Sequence, residues 1–166
     1  MIQQYTSKGT SLNQVSRAFT VYQEKIGFRP GSLILDYGGG KYDTAADYMA
    51  KHGSKVLVYD PYNRTPKHNK AVLDVVHRVK PNYIVCANVL NVIKENDIMY
   101  DVIRTIRLLC GPRTVVIFTM YEGNGTGHGK MSKNDCWQRN QKIDSYLPMI
   151  RFYFPEAIKK YGLIIA

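Results

Sequence analysis

Two carboxylates and a run of glycines are the residues of this chain best suited to chemistry. Leu33-Ile34-Leu35 is an apolar run that ends in Asp36, and Tyr37 then leads into Gly38-Gly39-Gly40 and a polar Lys41-Tyr42-Asp43. A chain leaving a strand for a helix turns sharply, and glycine lets it do so while presenting bare backbone. The helix that follows offers unpaired N–H groups and the positive end of its dipole, which suit a carboxylate or another anion. An ordinary strand-to-helix turn has the same look, and a second acid separates the two. Val56-Leu57-Val58-Tyr59-Asp60 is another apolar run closed by a carboxylate. It lies about 20 residues past the glycines, the separation at which nucleotide-binding sheets hold ribose hydroxyls.

These residues resemble those of class I S-adenosylmethionine-dependent methyltransferases. Asp36, Gly38 and Gly40 match the first part of that family's D-x-G-x-G-x-G signature, Asp60 matches the acid closing its second strand, and Tyr42 stands where the third glycine usually lies. The resemblance implies S-adenosyl-L-methionine as cofactor, its methionine end lined by Asp36, Tyr37, Gly38, Gly39 and Gly40 and its ribose held by Asp60. Pro61, Tyr62, Asn88 and Val89 complete the implied cofactor set, with Tyr62 against the adenine because an aromatic face suits a flat heterocycle. More narrowly, the stretches 36–40, 59–62 and 88–93, together with Trp137-Gln138, are similar to a small group. It comprises phage-encoded methyltransferases and a methyltransferase associated with DNA phosphorothioation. That likeness covers roughly residues 30 to 140, with gaps.

Methyl transfer asks mainly for alignment in a dry pocket, since the sulfonium is already activated. A nitrogen nucleophile also needs acceptors that orient it, and Asn88 and Asn91, just past the strand at 83–87, are the candidates for this catalytic role. Both residue types also cap turns. The Asp/Asn-Pro-Pro-Tyr/Phe tetrad of DNA amino-methyltransferases is absent here, where the chain reads Asn88-Val89-Leu90-Asn91. No Pro-Cys nucleophile stands at a strand end either, so a standard sequence-specific DNA methyltransferase is not indicated. The segment Glu122 to Lys130 alternates glycines with polar residues, and Lys130, Lys133, Arg139 and Lys142 surround the single tryptophan, Trp137, and Gln138. Cations beside an aromatic fit a phosphate-bearing substrate whose base can stack. Tyr121, Glu122, Lys130, Trp137, Gln138 and Arg139 are therefore the expected substrate-binding residues, on a mobile gating loop. His128 has no second ligand at metal spacing, and no metal is expected.

The elements that must position these groups follow from periodicity. Ser11 is expected to cap a helix with Leu12, Val15, Phe19, Tyr22 and Ile26 on one stripe, ended by Gly27. A second helix runs from Asp43 to about His52, and valines 72, 75, 76 and 79 mark a third. Tyr83–Ala87 and Val115–Phe118 read as buried strands, with a helix from Asn96 or Asp97 between them bearing Ile98, Val102, Ile106 and Leu109 inward. Residues 121–134 read as a loop, Ser145 to Phe154 as a short helix, and 157–166 as edge strand. Strands alternating with helices predict an α/β, Rossmann-like, doubly wound and mostly parallel sheet in a single domain over 1–166. Too few residues separate the ends of the second and third strands for the usual methyltransferase complement, so one strand–helix unit is expected to be missing.

A net charge of +10 on 166 residues favours polyanions, so a nucleic acid or nucleotide is the expected partner and acceptor. No apolar run reaches membrane-spanning length, and Cys86, Cys110 and Cys136 lie far apart without metal spacing. These features point to a protein of the reducing cytoplasm, the host cytoplasm if it is phage-encoded. Two other classes share the same residues: a non-catalytic S-adenosylmethionine or nucleotide-binding protein, and a basic nucleic-acid-binding accessory protein. A dehydrogenase fits less well, since nothing resembles a hydride-transfer acid–base pair.

Overall fold

The computed structural model describes residues 3–132 and 135–166, so Lys133 lies outside the described residues. In chain order the first elements are α1 (Arg17–Lys25), β1 (Leu33–Tyr37), α2 (Thr44–Ala50), β2 (Lys55–Tyr59), α3 (Pro66–Arg78) and β3 (Tyr83–Ala87). There follow α4 (Asn96–Leu109), β4 (Val115–Thr119), β5 (Lys130–Met131), β6 (Trp137–Gln138), α5 (Leu147–Tyr153), β7 (Ile158–Lys160) and β8 (Leu163–Ile165). The six-stranded sheet has the order β2-β1-β3-β4-β8-β7, with β2, β1, β3 and β4 parallel and the β7–β8 hairpin antiparallel. This is the expected doubly wound α/β sheet.

β1, β3 and β4 are buried along nearly their whole length because helices cover both of their faces. Phe19, Tyr22 and Met49 of α1 and α2 pack with Ile34, Val85 and Ile117 on one side. Val76, Met99, Ile103, Ile106 and Ile150 of α3, α4 and α5 pack with Leu35, Ile84 and Phe118 on the other. Each such fully buried side chain stabilises the fold by about 1.5–3 kcal/mol. The chain leaves β2 and returns on the far side of β1 as β3, so the carboxyl ends of β1 and β3 diverge at a switch point.

α3 alone occupies the connection between β2 and β3, and β2 is an edge strand among the described residues. α3 starts ahead of the valine stripe because Thr65 caps it, its Oγ1 accepting from His68 N–H at 3.2 Å, with Pro66 in the first turn. That turn also ties down the edge. His68 Nε2 donates to the Val58 carbonyl at 2.8 Å. The Asn69 amide accepts from Asp60 N–H at 3.1 Å and donates to Asp60 C=O at 2.9 Å.

The first expected helix is shorter than its apolar spacing suggests. α1 begins only after Ser16, and Leu12 and Ile26 are 62% and 46% exposed. Residues 8–10 instead form a single 3-10 turn, and the chain up to Ser16 crosses the carboxyl end of the sheet. Val79 is likewise exposed, because α3 ends at Arg78 and Val79 is already extended. The stretch 121–134 is not wholly irregular: β5 pairs antiparallel with β6, Lys130 opposite Gln138 and Met131 opposite Trp137. α5 follows a 3-10 turn over Ile143–Tyr146 and carries Pro148 in its first turn. The terminal hairpin turns at Tyr161-Gly162, whose positive φ values of 55° and 73° match the twist of two antiparallel strands. Among the described residues, no helix is long and apolar enough to cross a membrane.

Candidate functional site

The carboxyl ends of β1, β2 and β3 open into a cavity of about 510 Å³. Its floor is Asp36 to Gly40, Asp60 to Asn63 and Ala87 to Val89, and apolar side chains from Val92 to Val102 form one side. The opposite wall was not foreseen from sequence: Gln3, Ser7, Thr10, Ser11, Gln14 and Ser16 of the N-terminal segment line it. The legible signal was a run rich in hydrogen-bonding residues ahead of α1, in which the apolar Leu12 and Val15 suggest the start of a helix instead.

The glycines are there for close approach. Gly38 and Gly40 have φ of +81° and +77°, which side chains rarely adopt, and a Cβ on Gly38 would run into Val89. At Gly39 a Cβ would collide with the Asp36 carboxylate and with Val58. Bare backbone is thus packed against both strand ends. Arg64, within the basic stretch after β2, fixes the loop: its Nε donates to Gly40 C=O at 2.8 Å and its NH2 to Tyr42 C=O at 3.0 Å and Asp43 at 2.8 Å. The Tyr42 carbonyl, at the departed third-glycine position, is thereby held in place.

Both acids line the cavity. Asp60 Oδ2 accepts from Gly40 N–H at 2.9 Å, and Oδ1 accepts from the backbone N–H groups of Tyr62 and Asn63, each at 2.8 Å. Its Oδ2 keeps lone-pair capacity for a further donor. Asp36 is 5% exposed, lines the cavity, and its carboxylate has no hydrogen-bond partner among the described residues. Burial, with a smaller push from Asp60 and an opposing pull from Arg64, raises its pKa to about 7. Among the described residues no Lys, Arg or His lines the cavity, and the acidic side chains there are Asp36 and Asp60. A ligand carrying positive charge fits this interior.

Tyr37, Pro61, Tyr62, Asn88 and Val89 also line the cavity, in line with the cofactor set expected from sequence. Asn88 is exposed there with φ of 58°, a strained value for a non-glycine residue, and its N–H donates to Thr119 C=O at 2.8 Å. Asn91 does not reach the cavity and is corrected as a reacting-centre residue. It is 2% exposed, and its amide donates to Gln138 Oε1 at 3.1 Å. Beneath the strands, burial pushes the Cys86 thiol well up, which leaves it inert as a nucleophile.

None of the six expected substrate residues lines the cavity. Arg139 is a strut: Nε donates to Ile93 C=O at 2.6 Å and NH2 to Lys94 C=O and Asn96 at 2.5 and 2.6 Å. Glu122 Oε1 accepts from Ile143 N–H at 2.7 Å, and the exposed Tyr121 offers its carbonyl to Gln138 Nε2 at 3.0 Å. Lys130 is exposed on β5. Trp137 stacks on Tyr5, with ring centres 5.8 Å apart and planes 12° from parallel, and Lys94 Nζ lies 5.3 Å from each ring. The glycine-rich loop is packed rather than free, since Asn140 donates to His128 C=O at 2.9 Å and accepts from Gly127 N–H at 2.7 Å. Among the described residues no group of three His, Cys, Asp or Glu could hold a metal ion.

A family model described as "Methyltransferase domain" matches residues 13–161. No curated protein matches the sequence. Among solved structures, the chain is similar to the 1,6-didemethyltoxoflavin-N1-methyltransferase of Burkholderia thailandensis, with bound substrate and S-adenosylhomocysteine. They share 15% identity over 90% of this chain and 75% of that one, at a TM-score of 0.66. A SAM-dependent methyltransferase from Aquifex aeolicus aligns at 12% identity over 90% and 87% of the two chains, with a TM-score of 0.53. Phosphoethanolamine N-methyltransferase 2 of Haemonchus contortus aligns at 20% identity and a TM-score of 0.51, over 86% of this chain and only 37% of its own. These likenesses describe the fold, while the family model, which takes in the glycine loop, both acids and strands β1 to β7, identifies the chain. It belongs to the methyltransferase-domain family, as an S-adenosylmethionine-dependent methyltransferase.

Proposed function

We propose that the protein methylates a nucleophilic atom on a nucleic acid or nucleotide, with the cofactor's ammonium and sulfonium beside Asp36 and the 38–40 backbone. Asp60 takes the ribose hydroxyls, and Tyr62 lies against the adenine. The carrying observation is a single cavity that joins the glycine loop to both acids and has no basic side chain among the described residues that line it. S-adenosylmethionine, when bound, supplies an electrophilic methyl whose departing bond leaves its electron pair on sulfur. The chain's own residues orient and dry the site: backbone at Gly38 to Gly40 approaches the ligand, Val89, Val92 and Ile93 exclude water, and Asn88 offers its amide to the incoming nucleophile. Asn91 holds the turn that carries Asn88 through its bond to Gln138.

The nucleic-acid acceptor rests on the +10 charge and on the likeness to phage-encoded methyltransferases. Because the described residues lining the cavity include two carboxylates and no cation, the acceptor's phosphates stay on the basic exterior and only an uncharged base enters. The same observation favours a second reading, an uncharged or amine small molecule that enters whole. A tritiated-methyl transfer screen decides between them. Label in RNA, DNA or nucleotide fractions supports the first, label only in small amines supports the second, and no label in any fraction refutes methyl transfer.

A further inference from the structure

Opposite its cavity-facing side, α4 carries a surface that the methyl-transfer site does not use. Tyr100, Arg104 and Arg107 follow one another at helical spacing along its exposed side, and all three are exposed. α5 packs beside α4 and adds Phe152 and Tyr153. The rings of Tyr100, Phe152 and Tyr153 form a mutual edge-to-face cluster, with centres 5.8, 6.4 and 5.0 Å apart. Phe152 is 71% exposed, the most open large apolar side chain among the described residues. Burying it inside the chain would have been worth about 1.5–3 kcal/mol, so its exposure calls for a partner.

Charge selects the partner. Arg107 lies over Phe154 with its guanidinium 5.7 Å from the ring centre, and exposed Arg151 precedes Phe152. Asp101 pairs with Arg104 at 3.1 Å but leaves Arg107 and Arg151 unneutralised by any ion pair among the described residues. A second copy docked through this patch about a two-fold axis would bring arginines against arginines. A polyanion with flat rings meets both features, phosphates on the arginines and bases on the aromatic faces. We infer that the Tyr100–Phe152–Tyr153 cluster with Arg104, Arg107 and Arg151 is a binding face for single-stranded nucleic acid. Arg104 also borders a depression of about 280 Å³ that shares Tyr37, Ile98 and Val102 with the cavity. The inference goes beyond methyl transfer and holds whether or not the acceptor is a nucleic acid.

The test is fluorescence anisotropy of a labelled short oligothymidylate with the full chain, without cofactor, over rising salt. Wild type binds saturably and loses affinity as salt increases. Phe152→Ala weakens binding roughly tenfold, and Arg107→Gln with Arg151→Gln flattens the salt dependence. All these variants bind S-adenosylhomocysteine as wild type does, which separates failure of this face from failure of the cofactor site. Absence of salt-sensitive binding, or variants that bind as tightly as wild type, overturns the inference. So does displacement of the oligonucleotide by an acidic peptide at equal charge concentration, or a dimer that Phe152→Ala dissolves.

Discussion

Asp36 is the residue whose chemistry its surroundings change most directly at the site. A carboxyl raised to about 7 keeps its proton over a range in which the unfolded chain, near the ordinary aspartate value of about 3.9, has lost it. The folded state then binds more protons than the unfolded one, so this group's contribution to stability is fully present below about pH 4 and is lost as pH rises through about 7. A cationic ligand reverses the preference, because it favours the ionised form. Calorimetry with S-adenosylmethionine should therefore show affinity rising several-fold between about pH 6 and about pH 8 in wild type. Asp36→Asn should bind weakly with no such pH dependence and melt at a higher temperature than wild type at about pH 8. A flat wild-type profile would contradict a direct role for this carboxylate. That Asp36, Gly39 and Asp60 come together at one cavity was legible in sequence, because each closes or follows an apolar run at a fixed separation. Asn91 and Arg139 were misread because a polar side chain near a strand end can turn inward, Asn91 onto Gln138 Oε1 and Arg139 onto the Ile93 and Lys94 carbonyls, and sequence carries no sign of which way it turns.

At the scale of elements, the N-terminal segment acts as a strap over the cavity. It is fastened at several points: Tyr5 on Trp137, Gln4 N–H on Glu95 at 3.1 Å, and the Ser11 hydroxyl accepting from Lys41 N–H at 3.0 Å. A stacked aromatic pair contributes about 0.5–1.5 kcal/mol beyond its buried area. Trp137→Ala should therefore loosen the strap without unfolding the sheet. The expected readouts are faster proteolytic cleavage within residues 3–16 and a roughly threefold to tenfold faster release of S-adenosylhomocysteine. Cleavage and release rates equal to wild type would return Trp137 to simple packing. Sequence located the sheet strands and α4 because their apolar runs and stripes are long. It missed the strap and the β5–β6 ribbon, which depend on single pairings such as Met131 with Trp137 that leave no period to read.

For the whole molecule, the strand order explains why the site lies where it does. β2 and β3 flank β1, so the residues closing β1 and β2 face the same crevice, and the strap covers it. The missing strand–helix unit leaves β2 at the edge, held by His68 of α3 on the Val58 carbonyl and by Asn69, which anchors Asp60. Shortness of the connection was readable from sequence, whereas the compensating bonds to the edge were not. The molecule thus combines a basic exterior, +10 overall, with a cavity whose fixed charges are acidic.

The central claim is that Asp60 and the glycine-loop backbone hold one S-adenosylmethionine-type ligand in this cavity. Titration calorimetry of S-adenosylhomocysteine into wild type and Asp60→Asn tests it most directly. In the variant an amide replaces a carboxylate oxygen that accepts from Gly40 N–H, leaving donor against donor or turning its oxygen from the ribose. The account predicts one site per chain in wild type and a loss of at least about tenfold in the variant, whose melting curve remains cooperative. No binding heat in wild type, or equal affinity in the two proteins, would contradict it.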